Sequence, residues 1–187
     1  FIALSENRYY KDAYELLVSF SEELNKACKW LRGAGYACIQ LSEPSLAYDK
    51  ELTVEIDAIK EAYRKLTKKL SGETMLHAYF GDFSRLCREL AEFDVDYLGI
   101  DCTETNIEQL KGFEFHKVAL GIVDARSVLI ESPEWLVEFI KQAEELLNCK
   151  ALAICPNAEL EYLPRTIADK KIEAIGNAIK ALGACYE

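Results

Sequence analysis

What this chain has little of narrows its reading first. It holds four prolines and nine glycines, and none of them cluster into a linker, so residues 1–187 read as one domain. No run of about 18 apolar residues is present to form a membrane-spanning helix. Basic charge is scarce. Lys and Arg number 22 against 32 Asp and Glu, and no basic run exceeds a pair such as Lys68-Lys69. That excludes a surface built to neutralise nucleic-acid phosphates. The seven cysteines are an odd number without a CxxC, and Cys28, Cys38, Cys87, Cys149 and Cys185 fall in apolar or helical surroundings. They read as thiols of a reducing, cytoplasmic setting and not as a disulfide framework. A glycine-rich turn after the first strand is missing too, which weighs against a dinucleotide fold.

What is there is a rhythm. Apolar runs at Tyr36–Leu41, Thr74–Phe80, Tyr97–Cys102, Val118–Val123 and Ala151–Cys155 are each followed by a helical pattern. The helices are expected from about Glu51 to Leu70, over Phe83–Phe93, near Asn106–Leu110, over Pro133–Leu147 with Ser132 as cap, and over Thr166–Leu182 ended by Gly183. Ahead of them, Phe1–Ser5 reads as the tail of a strand, and Lys11–Leu31 as an amphipathic helix ended near Gly33 and Gly35. Continuous apolar strands alternating with helices predict an α/β fold with a parallel sheet. The spacing of about 30 to 35 residues per unit suits a parallel (β/α)8 TIM-barrel type, present as a partial barrel of about five units, since eight need about 250 residues. An open doubly wound sheet is the structural alternative.

In either architecture ligands gather where parallel strands end. The stretch Ile39–Tyr48, IQLSEPSLAY, shows such an end: Pro44 cannot continue a central ladder, which leaves Ser42 and Glu43 at the exit. The same reasoning places His77 and Tyr79, Asp101, Asp124 with Arg126, and Asn157 at successive exits and predicts that Glu43, His77, Asp101, Asp124 and Asn157 converge. Plainer roles compete. A lone His77 on an apolar strand can be a hydrogen-bonded core residue, Tyr9, Tyr10, Tyr14, Tyr36 and Tyr63 read as packing residues, and His116 as a surface residue at the opposite end. The Glu51–Leu70 helix reads as a solvated face, with Glu61 and Lys65 at helical spacing.

Taken in order, these exits resemble the C-terminal catalytic barrel of the cobalamin-independent methionine synthase family, from its third strand to its eighth. Ile39, Glu43, Pro44 and Leu46 match its Ile-Asp-Glu-Pro-Ala-Leu stretch, with Ser42 in place of the aspartate. His77 and Phe83 fit its His-x-Cys-Tyr-x-x-Phe strand, Asp124 and Ser127 its Asp-Ile-His-Ser stretch, and Pro156, Leu160, Pro164 and Arg165 its last exit. The resemblance implies a transferase of methionine biosynthesis, a methyltransferase whose zinc activates a thiol. Here the zinc set is degenerate. His77 is kept, Asp101 stands for a glutamate, and Tyr79 and Ala158 stand where the family has cysteines. Arg126 replaces the histidine general acid and cannot shuttle a proton near neutral pH. Cys102 and Cys155 lie near exits, but Cys102 adjoins Asp101 and so points to the opposite face.

The expectations are then these. Asp124 and Arg126 would be the catalytic pair, Ser42, Glu43, His77, Tyr79, Asp101 and Asn157 the substrate contacts, no residue a metal ligand, and zinc a cofactor whose site has lost ligands. The ligand would be a small thiol or amino-acid-like molecule, with no nucleic acid and no membrane. The alternative is a non-catalytic binding or accessory barrel. Five units leave two sheet edges bare, so the chain is expected to be a fragment or to associate with a missing N-terminal part, a second polypeptide or itself.

Overall fold

The computed structural model describes residues 1–48, 52 and 54–183. Five strands, β1 (Cys38–Ser42), β2 (Glu73–Ala78), β3 (Tyr97–Asp101), β5 (Lys117–Val123) and β7 (Leu152–Pro156), form one sheet in the order β1-β2-β3-β5-β7. All four pairings are parallel. Each strand joins the sheet beside the strand before it, so every exit lies at the same end. Two short strands, β4 (Glu114–Phe115) and β6 (Asn148–Cys149), pair in parallel just ahead of β5 and β7. At two residues each they are too short to leave a periodic signal.

The helices are α1 (Ala13–Gly33), α2 (Ser45–Tyr48), α3 (Ile56–Thr67), α4 (Cys87–Leu90), α5 (Pro133–Leu146) and α6 (Arg165–Ala181). Local chemistry sets their ends. Asp12 accepts the Glu15 N–H at the start of α1, and Ser132 accepts that of Trp135 with Pro133 in the first turn of α5. Lys65 and Glu61 pair across one turn of α3. The main core lies between sheet and helices. Leu76, Ala78, Leu98, Ile100, Val118, Leu120 and Ile122 face it, with Leu136, Ile140, Ala174 and Ala178 from α5 and α6. A smaller cluster of Cys28, Ile39 and Leu66 ties α1 and α3 to β1. Because side chains alternate along a strand, Gln40, Ser42, His77, Gly99, Asp101 and Gly121 occupy the other face.

Several local expectations give way. Phe1–Ser5 is no strand tail but a 3-10 turn over Ile2–Leu4, because Leu4 N–H and the Ser5 hydroxyl both turn back to the Phe1 carbonyl, while the Phe1 ring stacks on Phe20. Phe83–Phe93 is not one helix. A 3-10 turn over Phe83–Leu86 leads into the single turn of α4, because the Phe83 N–H is drawn to Thr105 Oγ1 and Asp82 caps Ser84. After β3 comes a 3-10 turn, Ile107–Leu110. Glu51, the expected start of the third helix, and Cys185 lie outside the described residues. Of the five tyrosines assigned to packing, Tyr63 is buried against Phe93, whereas Tyr9, Tyr14 and Tyr36 are exposed. Cys38 is exposed as well, since it sits on the open edge strand.

Candidate functional site

Asp101 ends β3 and is fully buried. Its Oδ2 accepts the Phe80 N–H at 3.0 Å, and its Oδ1 accepts the Thr103 N–H at 3.0 Å, the Thr103 hydroxyl at 2.6 Å and Asn157 Nδ2 at 3.1 Å. Four donors on one carboxylate neutralise its burial and knit together the exits of β2, β3 and β7. Asn157 is equally buried and equally engaged. Its Nδ2 also reaches Thr103 Oγ1, and its Oδ1 accepts the Ala125 N–H at 2.8 Å.

Next to this hub stands a second cluster with a different character. His77, on β2, is 2% exposed. Its Nδ1 lies 3.2 Å from Gln40 Nε2, its ring meets Tyr79 edge-on, and its Nε2 has no partner. The ring rests over Gly99 of the neighbouring strand, where an added Cβ would stand 2.6 Å from its Cδ2. Only a glycine leaves room for an imidazole there. Glu159, beyond β7, closes the cluster: its Oε1 accepts the Ser42 hydroxyl at 2.9 Å and the Tyr79 phenol at 3.1 Å, and Gln40 Nε2 reaches Ser42 Oγ at 3.2 Å.

Burial lowers the basicity of His77, against the opposing pull of the Glu159 and Asp101 carboxylates. Burial and then the bond to Glu159 push the Tyr79 phenol up to about 12, so it stays protonated. Burial raises Glu159, but the bonds it accepts from its own N–H, Ser42 and Tyr79 outweigh that and hold the carboxyl below its usual range.

Arg126 spans the rim between β3 and β5. Its guanidinium bonds Glu104 at 2.7 Å and Thr103 Oγ1 at 3.1 Å, lies 3.5 Å from Asp124, and covers the Phe80 ring. The Glu104 bond raises its already high pKa, so it serves as a fixed cation. The Asp124 N–H is held by Glu131 Oε1 at 2.9 Å, and Glu131 is clamped by Lys171 Nζ, fully buried on α6, at 2.9 and 3.0 Å. Glu43 accepts the Ser45 hydroxyl at 2.5 Å and lines an apolar groove of about 840 Å³ beside Leu41 and Tyr63, along edge strand β1.

The eight expected site residues thus stand at one end of the sheet, distributed over two adjoining clusters, the rim and the groove. The first cluster joins Asp101 to Asn157, the second joins Ser42, His77 and Tyr79, Asp124 and Arg126 form the rim, and Glu43 faces the groove. Sequence reasoning missed Gln40, Thr103, Glu131, Glu159 and Lys171. Gln40 carried a usable signal, since it is two residues before Ser42 and so shares its face. Burial raises the thiols of both Cys102 and Cys155, the latter to about 12. Among the described residues no three of His, Cys, Asp and Glu are grouped to hold a metal ion.

Comparison with known proteins bears on this arrangement. Residues 1–148 match the family model described as the N-terminal domain of cobalamin-independent synthase. The chain belongs to that family. It is 27% identical over 171 residues to a methionine synthase of Sulfurisphaera tokodaii, covering 90% of this chain and 49% of that protein. A methionine synthase of Thermococcus kodakarensis gives 27% over 172 residues, at 90% and 50%. The chain therefore spans about half the length of the curated relatives it matches. Among solved structures it superposes on a B12-independent methionine synthase from Shewanella sp. W3-18-1 in complex with selenomethionine, with a TM-score of 0.78 at 19% identity, covering 94% of this chain and 57% of that one. A putative B12-independent methionine synthase from Listeria monocytogenes gives 0.70 at 16%, covering 98% and 59%. The fold is accordingly that of a partial parallel (β/α)8 barrel.

Proposed function

We propose that this chain is a methionine-synthase-like barrel protein of the methyltransferase class. It binds a small thiol or amino-acid-like ligand at the strand exits without the family's catalytic zinc. The observation that carries the reading is the state of the four positions where the resembled barrel keeps its metal set. Asp101 spends both oxygens on four protein donors, Tyr79 is a protonated phenol bonded to Glu159, and Ala158 offers no donor atom. That leaves His77, and one imidazole is no zinc site. The residues do not fit the metal, so no step is routed through it. On this reading Asp101 and Asn157 frame the site, Ser42, Glu43, His77 and Tyr79 face the ligand, and Asp124 and Arg126 supply charge at the rim.

The finer placement within the family, as the C-terminal barrel from its third strand to its eighth, rests on the exit motifs, whereas the domain whose model matches is the N-terminal one. The second reading, a binding or accessory barrel, is favoured by the two sheet edges at β1 and β7, which pair with no further strand among the described residues. About three further units would close the barrel, and we propose that a further part of the polypeptide, a second polypeptide or a second copy supplies them. Three measurements test this: zinc content after dialysis against a weak chelator, calorimetric titration with L-homocysteine, and an assay of methyl transfer to it. Stoichiometric retained zinc would overturn the metal-free reading. Ligand binding without methyl transfer would favour the accessory role.

A further inference from the structure

The acceptor-only carboxylate of Glu159 fixes the direction of every hydrogen bond behind His77. Because Glu159 Oε1 can only accept, Ser42 must donate its hydroxyl proton to it. The Ser42 oxygen then serves as acceptor for one N–H of Gln40. The second N–H of the same amide points to His77 Nδ1. Nδ1 therefore carries the lone pair, and the ring proton of a neutral His77 sits on Nε2, the atom that is buried and unpartnered. Nδ1 is thus turned to Gln40 of β1 and Cδ2 to Gly99 of β3, which leaves Nε2 as the ring nitrogen that no protein group meets.

We infer that His77 is a ligand-directed hydrogen-bond donor, its tautomer set by a relay from Glu159 through Ser42 and Gln40, and that it selects small amino-acid-like ligands by a neutral acceptor atom on their side chain. The inference rests on the reading of this cluster as the ligand site. A buried donor without an acceptor is unfavourable, and a ligand that supplies one removes that cost. The resembled family uses this histidine as a metal ligand through a nitrogen lone pair. Here a carboxylate reached through two intervening side chains turns it into a donor. Glu159 and Gln40 are positioning residues, acting through His77. The low basicity that burial gives His77 agrees with a neutral ring.

The chain contains only two histidines, so long-range ¹H–¹⁵N correlation spectra of the whole chain can assign both rings. The expected result is His77 in the Nε2–H form at neutral pH, changing to Nδ1–H in Gln40→Glu, whose carboxylate accepts where the amide donated. Ser42→Ala, which removes the constraint on the amide and spares the shape, should give a mixture of the two tautomers. An Nδ1–H or doubly protonated His77 in the parent chain, or a tautomer unmoved in both variants, overturns the relay. The ligand half is read separately with three isosteres, L-homoserine, L-homocysteine and L-norvaline, which differ only in a terminal hydroxyl, thiol or methyl. L-homoserine should bind about three- to tenfold more tightly than L-norvaline, with L-homocysteine between them, and the difference should vanish in Gln40→Glu. Equal affinities, or no binding by any of the three, overturn the ligand-directed role, whereas the tautomer experiment judges the relay independently of any ligand.

Discussion

Two polar clusters lie side by side at the strand exits, and they differ in completeness. Around Asp101 every donor and acceptor named above is used, and four side chains or backbone groups converge on one carboxylate. Around His77 the bonds run in a line and stop at an unpartnered Nε2. Asp101, Asn157, His77 and Tyr79 are buried, while Thr103 beside the first centre and Gln40, Ser42 and Glu159 beside the second are exposed. Both clusters sit where a barrel places chemistry. The difference is that a closed network holds loops together, while an open one leaves a bond for something else to make.

The strongest way to break this comparison is to remove each centre. Asp101→Ala strands four donors and is expected to cost about 4 kcal/mol of stability, read from urea unfolding. His77→Gln should cost less than about 1 kcal/mol, since the parent ring makes a single bond. Equal losses would mean that both clusters are scaffolding. Next comes Lys171→Met, which leaves Glu131 partly buried without its cation. A loss of about 3 kcal/mol is expected, together with faster amide exchange over 124–131, because Glu131 also holds the Asp124 N–H. Unchanged exchange in that loop would limit Lys171 to stability alone.

Gly99→Ala sharpens the comparison, since its Cβ would fall within 2.6 Å of His77 Cδ2. About 1–3 kcal/mol should be lost as the ring is displaced, with the His77 resonances shifted and those of the Asp101 hub left in place. The smallest effect is in pH. The folded-state pKa of His77 lies below the ordinary 6.5, so the unfolded chain binds the proton more readily. Its contribution is intact above about 6.5 and is lost as pH falls through the lowered folded value. His77→Gln should flatten that part of the stability profile, and an unchanged slope below pH 6.5 would show that His77 is not its source.

The strands were legible because each is an apolar run of the right length bounded by turn residues, and the exits because Pro44 and the polar residues after each run mark where the ladder stops. Ser132 and Pro133 announced α5 for the same local reason. Partners distant in sequence left no such mark. Glu159 meets Ser42 across 117 positions, and nothing in either neighbourhood says so. Lys171 sits in an amphipathic helix where a lysine reads as solvated, and only the approach of the Leu129–Glu131 segment buries it. The turn at Phe83 escaped for a similar reason, because it answers to Thr105 on another loop.

The direction of the strands has a consequence for growth. Since all five run the same way, the β1 and β7 edges are complementary and not alike. A unit added in parallel at β1 covers that edge and presents another of the same kind, so addition has no chemical reason to stop. What stops it is geometry: tilt and twist bring the newest strand around until it meets β7. In this fold the curvature of the sheet is the counter that fixes how many units make a finished molecule.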